Sequence, residues 1–193
     1  VTSGWLQWAA AILGSAVVAA AIGAISIRTS GLYFIMITLA FTQMLYYLGI
    51  SVAEFGGDDG MRLKRRSQLG IVDLNAPVQS YYFPLVVMLL SVWLVHRLVN
   101  SRFGMVLRAS KSNEARTRAI GFSPYPYRLA AFVIAGAMCG LAGALYANHT
   151  NYIVPGLMSW QQSGDIMFMV ILGGMASTAG PVLGTFALLL VEE

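Results

Sequence analysis

Apolar residues in this chain do not alternate with polar ones; they run in long blocks. Five blocks stand out, at about Trp5 to Ile27, Leu32 to Ala53, Tyr81 to Val99, Leu129 to Ala147 and Ile166 to Val191. A helix of roughly 20 apolar residues, rising about 1.5 Å per residue, crosses the hydrocarbon layer of a bilayer. Strands with open edges would leave backbone groups unpaired in lipid, and the short alternating segments of a barrel are absent. The pattern predicts an all-α fold: a polytopic membrane helix bundle of about five spans. Trp5 and Trp8 open the first block and Tyr81 and Tyr82 the third, positions where aromatic rings anchor at the membrane surface.

Composition agrees. Of 193 residues, 58% are hydrophobic and 10% charged, with a mean hydropathy of +0.70. Soluble domains carry roughly a quarter charged residues, so a soluble fold is excluded. The net charge of +4 gives no case for nucleic acid; lipid is the expected surrounding. The whole of 1–193 reads as one transmembrane domain. Its apolar start without an initiator Met and its apolar end lead to the expectation that it is a piece of a longer protein, cut at both ends.

The basic residues gather at the block ends, where they orient a membrane protein. Arg28 and the connection holding Arg97, Arg102, Arg108, Lys111, Arg116, Arg118 and Arg128 fall on one side by parity. Arg62, Lys64, Arg65 and Arg66 fall on the other. Eight against four puts the connection 100–128 in the cytoplasm and the Glu54–Ser80 loop outside. Acids contribute little to this rule.

Within the connection, Asn113 is a good N-cap and Glu114 suits a first helical turn. Ala115, Ala119 and Ile120 can form one apolar strip. Gly121 fits the position just past a helix end, and Pro124 and Pro126 then forbid continuation. A short capped helix outside the membrane offers a knob to a partner. A solvated, orienting charge cluster is the plainer alternative, but it needs no cap at each end.

Here the chain resembles a known family. "LRASKSNEARTRAIG", Leu107 to Gly121, is similar to the cytoplasmic loop of the permeases of branched-chain amino acid ABC importers, the LivM-like family. Arg108, Ala109, Lys111, Asn113, Glu114, Arg116, Ala119 and Gly121 match its pattern, and Ser112 stands where the family often has Glu. "GLYFIMITLAFTQM" from Gly31, "GGDDGM" from Gly56, "GLAGALYA" from Gly140 and "VILGGMASTAGPVLG" from Val170 resemble further family motifs, in order and without large gaps.

The resemblance implies the membrane-spanning permease subunit of an importer that translocates branched-chain amino acids. Its partners would be a second permease subunit, two cytoplasmic ATPase subunits and a periplasmic substrate-binding protein. It would be a multi-pass protein of the bacterial inner membrane and not itself an enzyme. ATP and Mg would sit on the partner ATPase, since this chain has no Walker A motif. The loop helix would be the coupling helix, with Arg108, Asn113, Glu114, Ala115, Arg116 and Gly121 as its ATPase-coupling residues. A same-family permease for urea, amides or other amino acids is the near alternative. An ion-coupled secondary transporter would want an acid at membrane depth, whereas Glu54, Asp73 and Asp165 fall in loops or at edges. A membrane enzyme would need a polar cluster there.

Three further stretches are candidates for the translocation path or gate. Gly56, Gly57 and Asp58 read as a structural outer turn, or as part of a gate or docking face; the ligand order of a calcium loop is absent. Thr38, Thr42 and Tyr46 share a helix face, with Gln43 beside them. They read as hydrogen bonding between helices or as the wall of a path. Gly173 and Gly174, with Gly180 and Pro181 after them, break the fifth block. The break is either an unwound helix lining a cavity or a turn between two short helices. Cys139, alone in an apolar run, reads as a packing residue. His96 and His149 lie at block ends without metal-ligand spacing, so no metal or catalytic site is expected.

Overall fold

The computed structural model describes residues 4–51, 60–62, 77–175 and 180–192. It is a helix bundle. Helices α1 (Gly4–Ser26), α2 (Leu32–Ser51) and α3 (Pro77–Val99) are followed by two short ones, α4 (Arg102–Ser112) and α5 (Glu114–Ala119). Then come α6 (Pro124–Thr150), a 3-10 turn at Pro155–Met158, α7 (Trp160–Gly173) and α8 (Gly180–Glu192). Four of these, α1, α2, α3 and α6, are long and apolar enough to cross a membrane. Their outward faces are oily and bare: α2 buries no residue within the chain. Such a surface suits lipid or neighbouring helices and would not be tolerated in water.

The fifth expected span is not continuous. Its place is taken by α7, of 14 residues, and α8, of 13. Each is about 20 Å long and too short to cross alone. They pack side by side and antiparallel: Met169 meets Gly184 and Thr185, while Gly173 meets Gly180. Of the two readings of the break, two short helices are found, while residues 176–179 between them lie outside the described residues. The physical cause is mutual closeness. A methyl at Gly173 would strike the Gly180 carbonyl and approach the Gly184 nitrogen to 2.9 Å.

The most extensive helix pair is α1 with α6. They run antiparallel, with Gly23 against Leu129 and Phe132, Ala19 against Gly136, and Ser15 against Gly140. Small residues every fourth position let the two backbones approach, as in many membrane helix pairs. At the far end Trp8, 8% exposed, packs against Phe83 and Leu145, with its ring 5.2 Å from that of Phe83. At the near end the Tyr125 hydroxyl donates to the Ala24 carbonyl at 3.1 Å, and Arg28 lies over the Tyr125 ring.

The ends of the bundle sort as the parity of the blocks requires. Strand β1 (Met61–Arg62) pairs antiparallel with β2 (Tyr152–Ile153), Met61 opposite Ile153. The segments following α2 and α6 therefore meet at one end. The turn after α1, the end of α3, α4, α5 and the start of α6 lie at the other. Helix α6 begins at Pro124, not Leu129. Pro124 and Pro126 do not merely stop the preceding helix. They occupy the first turn of the next, where a missing N–H costs nothing and φ is already helical.

Candidate functional site

The basic connection is a built structure. Helix α4 lies against the end of α3. Gly104 makes this possible, because a methyl there would collide with the Val99 carbonyl. Arg108 Nη2 donates to that same carbonyl at 2.9 Å, supplying a donor that a helix end lacks. The Tyr127 ring, on the first turn of α6, lies 5.8 Å from Phe103 on α4 and 6.3 Å from Phe122. Aromatic contacts thus pin both ends of the connection to α6.

One residue turns α4 into α5. Asn113 is extended, at φ −156°, and its N–H closes α4 on the Ala109 carbonyl. Its Oδ1 accepts from the Arg116 N–H at 3.0 Å, the N-cap bond expected from the sequence. Its carbonyl accepts from the N–H of Thr117 at 3.2 Å and from the Thr117 hydroxyl at 2.9 Å. Thr117 is buried.

The far end is closed just as firmly. Gly121 has φ +94°, its N–H bonds the Arg118 carbonyl, and the N–H of Phe122 bonds the Thr117 carbonyl. These are the two bonds of a Schellman cap, which needs a left-handed residue at this position. A helix of six residues is too short to persist alone; two caps and the anchoring of α4 hold it.

Glu114 is fully engaged inside the chain. Its Oε1 accepts from Arg118 Nη2 at 2.6 Å, and its Oε2 from Arg128 Nη2 at 3.0 Å. The hydrogen bond from Arg128, then that from Arg118, holds its carboxyl below the ordinary carboxylate range. Its closeness to the α5 N-terminus also suits a negative charge. Arg128 Nη2 further reaches the Ser110 carbonyl at 3.4 Å. The exposed side chains from Ala115 onward are Ala115, Arg116, Arg118, Ala119 and Ile120, with Ile120 69% exposed. The apolar strip expected on α5 therefore exists and is uncovered.

The model of the family described as "Branched-chain amino acid transport system / permease component" matches residues 1–193. The chain belongs to this family. The permease is 25% identical over 191 residues to the high-affinity branched-chain amino acid transport system permease protein LivM of Escherichia coli (strain K12), covering 86% of this chain and 45% of that one. A probable branched-chain amino acid transport permease protein LivH of Methanocaldococcus jannaschii is 30% identical over 113 residues, 56% of this chain and 34% of its own. The autoinducer 2 import system permease protein LsrC of Salmonella paratyphi B is 28% identical over 134 residues, 64% and 38% respectively. The chain spans less than half the length of these relatives. No solved structure matches it.

The candidate residues of the permease's path are not brought together. Gly56, Gly57 and Asp58 lie outside the described residues. Thr38, Thr42, Gln43 and Tyr46 share the half-buried face of α2. The threonine hydroxyls bond within their own helix, Thr38 to the Phe34 carbonyl at 3.0 Å and Thr42 to the Thr38 carbonyl at 2.9 Å. Back-bonding uses the single donor of each and leaves the hydroxyl oxygens as acceptors. Gly173 is packed, whereas Gly174 is exposed, at φ +89°, with open space where a side chain would go.

The sequence reading takes Arg108 of α4 but not the helix itself, and it omits Thr117 and Arg128 from the site. Phe103, Val106, Leu107 and Ser110 recur at helical spacing, and that periodicity was the available signal for α4. For Arg128 there was none, since its partner lies 14 residues away across a turn.

Proposed function

We propose that the chain is part of the membrane-spanning permease subunit of an ATP-driven importer. In this reading α4 and α5 form its cytoplasmic coupling element. Two ATPase subunits bind ATP and Mg and drive the cycle. A second permease subunit completes the path, and a periplasmic binding protein delivers branched-chain amino acids. The location is the inner membrane of a bacterium, with residues 100–128 in the cytoplasm, as the eight-to-four distribution of basic residues supports.

The observation that carries the reading is the outward strip Ala115, Ala119 and Ile120 on a helix capped at both ends. An exposed apolar strip on a rigid helix is a binding surface. The caps matter because a floppy loop would absorb a rigid-body movement of the ATPase instead of passing it on.

The test is co-purification of the ATPase with the full-length permease carrying Ala119→Glu and Ile120→Asp together. Neither side chain is buried, so insertion and folding should persist while the ATPase is lost. Retention of the ATPase at the parent level would refute the assignment of α5. Uptake of radiolabelled leucine, competed by valine, urea or autoinducer 2, tests the substrate.

A further inference from the structure

The α4–α5 unit is attached to the spanning helices in two different ways. Toward α3 the attachment is close packing of Gly104, together with the bond from Arg108 to the Val99 carbonyl. Toward α6 it includes one guanidinium that reaches both short helices. Arg128 Nη2 bonds Glu114, the first residue of α5, and Ser110, in the last turn of α4. Arg128 therefore sits where the chain bends at Asn113, yet it belongs to α6. Helix α6 in turn is locked on α1 through Gly136 and Gly140.

Reach distinguishes these attachments: the bond from Arg108 to Val99 is charge-assisted too but holds α4, whereas the bond from Arg128 to Glu114 holds α5. Apolar packing resists compression but gives way when two surfaces are drawn apart, because dispersion contacts decay within an ångström. A charge-assisted hydrogen bond falls off more slowly and holds in both directions. Both oxygens of Glu114 accept from bases of this chain, one from Arg128 and the other from Arg118. Glu114 therefore has a role within the permease itself.

We propose that Arg128 is a positioning residue that ties α5 to the α6–α1 pair through Glu114, so that displacement of the coupling element moves these two spanning helices in particular. This rests on the reading of α5 as the ATPase-facing element. Exposed or half-exposed ion pairs such as this one add little to folding stability. Removing the link should therefore spare the fold and impair transmission, which separates a positioning role from a merely structural one.

The experiment uses the full-length permease in its complex, with Arg128→Gln, Glu114→Gln, the double variant and Arg128→Lys. Each should retain the ATPase and hydrolyse ATP. Leucine taken up per ATP hydrolysed should fall by about fivefold or more in both single Gln variants, the lower edge of usual coupling between sites. The double variant should be no worse than either single one, as for two ends of one link, and Arg128→Lys should fall between. A spin label at Arg116→Cys paired with one on native Cys139, which is exposed on α6, reads the same link without substrate. Its narrow distance distribution should broaden in both Gln variants. Unchanged yield per ATP with an unchanged distribution would overturn the proposal. So would additive losses. Loss of the ATPase itself from both single variants would assign the pair to docking and overturn it too. Absence of the ATPase from the parent would instead refute the reading of α5.

Discussion

Gly140 of α6 lies directly on Ser15 of α1, so close that a methyl at Gly140 would stand 2.9 Å from the Ala11 carbonyl and nearer still to the Ser15 side chain. Gly143, one turn on, faces open space. The two glycines should therefore respond oppositely to the same change. Gly140→Ala should destabilise the purified permease by about 1–3 kcal/mol through overpacking. Gly143→Ala should be neutral, or gain up to about 1 kcal/mol from reduced backbone entropy. Thermal unfolding in detergent measures both. Equal effects would mean that the α1–α6 crossing is looser than described.

Gly173 and Gly174 form a second contrast. Gly173 is the packed position, whereas Gly174 faces open space. Gly173→Ala should part α7 from α8 and abolish leucine uptake. Gly174→Ala should cost only its positive φ, about 1–3 kcal/mol locally, and Gly174→Leu should do no worse than Ala. An uptake series of Ala, Val and Leu at each position decides it. Dependence on size at Gly174 would show that the open space there is filled in the assembled transporter.

What the sequence made legible was whatever depends on neighbours along the chain. The caps at Asn113 and Gly121 are local chemistry, and both are where the residues said. The four long spans followed from block length alone. The fifth block misled because length does not register a backbone collision: Gly173 and Gly180 end one helix and begin another only once α7 and α8 are side by side. Pro124 and Pro126 were ambiguous because a proline that ends one helix equally starts the next. Helix α4 was hidden by its charge, although Phe103, Val106 and Leu107 carried its period. Arg128 was invisible for a different reason. Its partners, Ser110 and Glu114, are set by how α4 and α5 fold back on α6.

Sidedness can be checked at two exposed positions. Ser112, at the end of α4, and Leu157, in the turn after β2, lie at opposite ends of the bundle. Ser110 would be a poor probe, being only 5% exposed. With Cys139→Ala removing the native thiol, an impermeant reagent added outside intact spheroplasts should label Leu157→Cys and leave Ser112→Cys untouched until the membrane is opened. Labelling of Ser112→Cys from outside would invert the orientation and remove the coupling assignment with it.

The cap at Gly121 gives a test that touches neither charge nor the membrane core. Its φ of +94° permits two closing bonds, from Gly121 to the Arg118 carbonyl and from Phe122 to the Thr117 carbonyl. A β-branched residue resists this conformation, so Gly121→Val should cost about 1–2 kcal/mol locally. The last turn of α5 would then fray, and with it the alignment of Ala119 and Ile120. Asn tolerates the left-handed region far better, so Gly121→Asn should keep the cap at nearly the same bulk. The expected order of ATPase retention on co-purification is therefore parent, then Gly121→Asn, then Gly121→Val. Side-chain size does not produce that order, because a Cβ at Gly121 meets nothing within 4 Å. Equal retention by all three would mean that the partner does not require a rigid α5, and the caps would then serve only the permease's own packing.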